Sequence, residues 1–182
     1  MNRQFKILVT DEVTEVGPGI FLLSTMLLKK AGYTVLQSST GKECLNTVRV
    51  AHPDLVLVDQ FLPDMTGAQV CREIKSNKDL EDIFVIVSTD TNAYVDPDME
   101  MFELPADGYI TKPISNREFL ARIQASERIK RAEDALRQKE EENGAIRNRL
   151  YQALAEAKNL RDQTPLCTFC KQMQRARQSN DD

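Results

Sequence analysis

The chain has 182 residues, 41% hydrophobic and 29% charged, enough for one ordinary core with length to spare. Its 24 Lys and Arg against 28 Asp and Glu leave a net charge of -4 without the basic stripe that phosphate backbones require, which disfavours direct nucleic-acid binding. No apolar run reaches the ~18 residues of a membrane span, and MNRQFKILVT leads straight into strand-like sequence, so a bacterial-type cytoplasmic protein is expected.

In chain order, short β-branched runs alternate with helix-like stretches. The runs are FKILVT (5–10), YTVLQ (33–37), DLVLVD (54–59), IFVIVST (83–89) and DGYITK (107–112). Such alternation argues for βαβ units around a parallel sheet. Pro18 suits the first turn of a helix that continues through Ile20, Leu23 and Leu27. Thr40 with Glu43, and Ser115 with Glu118, are capping-box patterns for two more helices. The expectation is a doubly wound α/β domain over residues 1–125, with its site at the carboxyl ends of the strands.

Those strand ends carry the chemistry. The first run ends in Asp11 and Glu12, the third in Asp59, the fourth in Ser88 and Thr89, and the fifth in Lys112 before Pro113. Clustered carboxylates repel one another unless a cation sits among them, and oxygen-only ligands suit Mg²⁺. A lysine and a hydroxyl at the same edge would bind the oxygens of a phosphoryl group added to Asp59.

At this point ILVTDE, VDQFLPDMTG, VIVSTD and YITKP, in that order, resemble the receiver domain of two-component response regulators. The resemblance covers residues 5 to about 125 and implies a flavodoxin-like five-stranded parallel sheet of order 2-1-3-4-5. It implies that Asp59 accepts a phosphoryl group from a histidine kinase's phosphohistidine, with Mg²⁺ held by Asp11, Glu12, Asp59 and the Phe61 carbonyl. Thr89 and Lys112 would grip the phosphoryl, and Tyr109 would follow Thr89 inward as an aromatic switch. Three features depart from the family pattern: Glu12 where Asp is usual, Asp90 where a small residue is usual, and a lengthened VGPG loop. A frame shifted by one residue would instead make Asp11 the direct ligand with Thr10 beside it. A haloacid-dehalogenase-type phosphatase needs a second Asp two residues after the first, where Phe61 stands. His52, the only histidine, precedes Pro53 and reads as structural.

From Ser115 to Gln163 there is no proline and a single glycine, Gly144. Heptads with a at Ile129, Leu136, Asn143, Leu150 and Ala157, and d at Ala132, Lys139, Ile146, Ala153 and Leu160, predict a coiled-coil helix over 126–162. In a parallel homodimer Arg128–Glu133, Glu142–Arg147 and Glu156–Arg161 are all attractive pairs, and Asn143 at an a position fixes register. The tail, 163–182, contains Cys167 and Cys170 in LCTFCKQMQ, which resembles the start of segments that precede diguanylate cyclase or kinase output domains. It is compatible with an inert tail, half of an inter-chain zinc site or a redox pair.

No catalytic pattern for small-molecule turnover is present, so the chain reads as a signalling protein instead of an enzyme. The leading expectation is a phosphorelay response regulator that signals through a coiled-coil dimer to a protein partner. The alternatives are a phosphorylation-independent adaptor with a degenerate receiver, or a regulatory fragment of a cyclase-type protein.

Overall fold

The computed structural model describes residues 4–12, 20–90, 105–163 and 171–172, the side chains of 20–22 and 161–163 excepted. Pro18, the VGPG loop, Cys167 and Cys170 lie outside the described residues. The chain divides into two compact units, Met1–Ala132 and Glu133–Asp182.

In the first unit five strands alternate with helices: β1 (Lys6–Thr10), α1 (Ile20–Lys30), β2 (Thr34–Ser38), α2 (Gly41–Ala51), β3 (Leu55–Asp59), α3 (Gly67–Lys75), β4 (Phe84–Asp90) and β5 (Gly108–Lys112). The strands form one parallel sheet of order β2-β1-β3-β4-β5, the expected architecture. A sheet covered on both faces needs apolar residues at every position of its central strands, and Leu55-Val56-Leu57-Val58 meets that need. Alternation sends Val56, Val58, Val85 and Val87 into one core with Val48, Val70 and Ile74 of α2 and α3. Leu55, Leu57, Phe84 and Ile86 enter the other, with Leu28 of α1 and with Phe119 and Ile123 of the last helix, α4 (Asn116–Gln163).

Helix ends follow from local chemistry. Thr40 caps α2 by accepting the Glu43 N–H at 3.1 Å, but the Glu43 carboxylate takes Ser39 N–H and hydroxyl donors instead of closing the box on Thr40. Ser115 likewise caps α4, while the Glu118 carboxylate pairs with Arg122 one turn on. The complete capping box belongs to α3, where Thr66 and Gln69 exchange both bonds. Gly32, at φ 93°, ends α1 in a Schellman arrangement with Tyr33 N–H on Leu28 O and its own N–H on Lys29 O. His52 is the left-handed cap of α2, its N–H on Val48 O, in keeping with a structural role.

The α4 helix contributes to the first unit through one face. Ile123, Ser126 and Lys130 are buried. Glu127 accepts the Tyr33 hydroxyl at 2.8 Å, Arg131 lies over the Phe5 ring at 5.6 Å, and Lys130 reaches Asp82 at 3.4 Å. In the second unit Leu136, Ile146, Leu150, Tyr151, Leu154 and Leu160 are all exposed. No helix among the described residues is long and apolar enough to cross a membrane.

Candidate functional site

The parallel register brings the polar ends of β1, β3, β4 and β5 to one edge. Thr10 pairs with Val58, Asp59 with Ser88, and Asp90 with Lys112, so the residues that end each strand lie side by side. Asp59 is only 8% exposed, yet its carboxylate is well supplied with donors. Oδ1 accepts the Phe61 N–H at 2.9 Å, and Oδ2 accepts the Ser88 hydroxyl at 3.3 Å and the Lys112 ammonium. The same ammonium lies 3.6 Å from Asp11 Oδ2. One lysine thus stands between two carboxylates from neighbouring strands.

The electrostatics follow. Burial pushes the Asp11 carboxyl above its ordinary value, opposed by Lys112 and reinforced by the Asp59 charge. Burial alone would lower the Lys112 ammonium, but its bond to Asp59 and the charges of Asp11, Asp59 and Asp90 outweigh that and raise it. Lys112 is held firmly protonated. A cavity of about 220 Å³, lined by Asp11, Ser88 and Lys112 together with Leu23, Leu57 and Phe119, adjoins these groups.

The loop after Asp59 is built for position. Asp64 accepts the first two N–H groups of α2, from Gly41 at 2.7 Å and Lys42 at 3.0 Å. Burial opposes the ionised Asp64 carboxyl, but these backbone donors prevail and hold it below the ordinary value. Phe61 bridges to Thr66, which starts α3 at Gly67. A Cβ on Gly67 would lie 2.4 Å from the Asp59 carbonyl oxygen, so only glycine lets α3 begin this close to the acceptor strand. The loop therefore ties Asp59 to the starts of both α2 and α3.

Of the residues singled out by sequence, Asp11, Asp59 and Lys112 come together. Glu12 has an exposed side chain, and its backbone N–H bonds the Asp11 carboxyl. Thr10 points away, its hydroxyl 2.7 Å from that of Ser38. Phe61 is beside Asp59 with its ring 52% exposed. Asp90 is exposed at the end of β4. Thr89 is buried on the sheet face opposite Asp59, beside Thr111 in register, and Tyr109 packs half-buried on that same face with its phenol raised by burial. Among the described residues no three His, Cys, Asp or Glu side chains form a ready cage for a metal ion.

Of the two hydroxyls read at the end of β4, Ser88 is the one that touches the acceptor carboxylate, and strict alternation along β4 from Phe84 was the signal that separates them. One residue, Gln60, was missed. Gln60 is fully enclosed, and among the described residues neither its Oε1 nor its Nε2 has a hydrogen-bond partner.

A family model described as the response regulator receiver domain matches residues 15–124. The alkaline phosphatase synthesis transcriptional regulatory protein PhoP of Bacillus subtilis (strain 168) is 33% identical over 150 residues, 82% of this chain and 58% of its own. The chain spans about half the length of the curated relatives it matches. A CheY-like response regulator receiver domain protein from Methanospirillum hungatei JF-1 aligns at 25% identity and TM-score 0.62, covering 71% of this chain and 98% of that one. The receiver domain of the sensor histidine kinase PA1611 from Pseudomonas aeruginosa PAO1, with a magnesium ion coordinated in its active-site cleft, aligns at 23% identity and TM-score 0.56, covering 66% and 93%.

Proposed function

Because the chain belongs to the response regulator receiver family, we propose that it is a working phospho-switch in which Asp59 takes a phosphoryl group from the phosphohistidine of a histidine kinase or phosphotransfer protein. The observation that carries this reading is the Lys112 ammonium between the Asp59 and Asp11 carboxylates, with open space beside it. In the transfer an Asp59 oxygen attacks phosphorus, an O–P bond forms as the N–P bond breaks, and the electron pair leaves with the imidazole. Lys112 follows the negative charge from carboxylate to phosphoryl, and Thr89 turns to donate its hydroxyl to a phosphoryl oxygen. Ser88 and the Phe61 N–H hold the carboxylate in place for attack.

The donor set suits Mg²⁺. Asp11, Asp59, Glu12 and the Phe61 carbonyl offer hard oxygens, and Mg²⁺ commonly takes one or two carboxylates and fills its shell with water and phosphate oxygens. Two carboxylates share a single ammonium here, which leaves negative charge for a divalent ion to neutralise. When bound, the ion would stabilise charge on the phosphoryl oxygens.

For output, the reading is a parallel homodimer through residues 126–162. Its support is helical geometry: Ile123, Ser126, Glu127 and Lys130 face the receiver, and at ~100° per residue the exposed Ile129 and Ala132 lie roughly 110° and roughly 170° round the helix from that face. The first unit thus leaves the opening a and d positions, Ile129 and Ala132, uncovered for a second copy. Tyr109, on the Thr89 face, transmits the state of Asp59 toward that dimer and its protein partner.

The test is modification of the full chain by acetyl phosphate or beryllofluoride with Mg²⁺, followed by light scattering of wild type and Asp59→Asn. Modification of the wild type alone, with a change in association or shape, is expected. An unmodified Asp59 with the same dimer throughout would instead establish a phosphorylation-independent adaptor.

A further inference from the structure

The residue after the acceptor is a glutamine with no exposed surface to speak of and, among the described residues, no partner for either end of its carboxamide. Its backbone is fixed: Gln60 N–H bonds Ser88 O at 2.8 Å, and its carbonyl accepts the Gly67 N–H at 3.0 Å. The first bond continues the β3–β4 ladder one step past Asp59 and Ser88, which makes Thr89 the cross-strand neighbour of Gln60. Alternation puts both side chains on the face of Val58, Val87 and Tyr109. A buried amide with nothing to bond to is costly. Its natural remedy is a hydroxyl one strand away that changes orientation.

We propose that Gln60 is a positioning residue for phosphoryl recognition, donating Nε2–H to the Thr89 oxygen when Thr89 turns to the phosphoryl group. A hydroxyl has one proton to give and lone pairs to accept with. When Gln60 fills a lone pair, the Thr89 proton is committed to the phosphoryl oxygen, and each bond in the row strengthens the next. The unpaired amide thus raises the free energy of the resting state, and its Nε2 gains an acceptor in the modified one, which biases the equilibrium toward the latter. This rests on the phosphoacceptor reading of Asp59.

The experiment compares thermal unfolding and beryllofluoride binding, with Mg²⁺, in the full-length wild type, Gln60→Met, Gln60→Leu, Thr89→Val and the Gln60→Met/Thr89→Val pair. Methionine and leucine fill the site without a polar end. Both should raise the melting temperature of the unmodified protein, weaken beryllofluoride binding about tenfold, and shrink the gain in melting temperature that binding confers. In the Thr89→Val background Gln60→Met should leave binding unchanged. Equal binding by wild type and both Gln60 variants overturns the inference, since a merely structural amide would move both states alike. If the wild type fails to bind beryllofluoride at all, the phosphoacceptor reading falls and this inference with it.

Discussion

The two units of this chain hold their polar and apolar groups in opposite ways. In the receiver, carboxylates, hydroxyls and an ammonium are enclosed and fixed by tertiary contacts, and Asp59 alone is held by donors from three segments. In the second unit every large apolar side chain of α4 from Leu136 to Leu160 is exposed, and the bonds on show are local, such as Arg137 to Asp134 and Gln138 to Glu142. A helix held only by such pairs gains a few tenths of a kcal/mol from each, roughly 0.2–0.5. What differs is the origin of stability: the receiver completes its core within one chain, whereas the helix leaves its large apolar side chains exposed.

The sharpest way to separate the two regions is through their helical glycines. Gly67→Ala drives a Cβ against the Asp59 carbonyl and should cost about 3 kcal/mol, read by denaturant unfolding, with loss of beryllofluoride binding. An Ala variant that binds normally would mean that α3 does not constrain the acceptor. Next in size, Ile146→Asp with Leu150→Asp places charge in the proposed seam. It should weaken self-association by about a hundredfold in sedimentation equilibrium while leaving the receiver's melting transition in place. Unchanged association would move the dimer surface off this stripe.

A third effect belongs to the receiver alone. Burial pushes the Cys44 thiol from 9.0 up to about 11, against hydrogen bonds with Thr10 and Ser38, and burial pushes Cys71 up to about 11 as well. In the unfolded chain each thiol loses its proton first, so the unfolded state binds fewer protons between these values and stability falls as pH rises from 9 to 11. Cys44→Ala should flatten that slope, by about 2 kcal/mol over the interval, in urea titrations at successive pH values. Parallel slopes would show the thiol to be in contact with water.

The smaller effects test the edges of the comparison. A Cβ on Gly144 meets nothing within 4 Å, so Gly144→Ala should stabilise the helix by about 1 kcal/mol, visible as a higher helical melting midpoint with the receiver unaffected. Asp90 is exposed yet adds its charge to the field at Lys112. Asp90→Ala should quicken labelling by acetyl phosphate about threefold, and an unchanged rate would show its charge to be screened from the incoming donor.

Much of the site was legible because parallel strands deliver consecutive strand ends to one edge. Once LVLVD and YITK were read as strands, Asp59 and Lys112 had to be neighbours of that edge. What could not be read was which of two adjacent side chains faces inward. Ser88 rather than Thr89 meets Asp59, Asp11 rather than Glu12 meets Lys112, and each outcome depends on the pleat at the last residue of a strand. Asp64 capping α2 was equally hidden, since a carboxylate 23 residues from the N–H it bonds leaves no local pattern.

By itself, then, the order of residues determined the sheet, its two apolar faces, the heptad stripe and the set of groups at the strand ends, because these depend on periodicities of two and of about 3.6 that operate within a few residues. Only the tertiary structure decided that Gln60 is enclosed without a hydrogen-bond partner among the described residues, and that Lys112 stands between two carboxylates. Burial and pairing are properties of what surrounds a side chain, and those surroundings come from segments far apart in the chain.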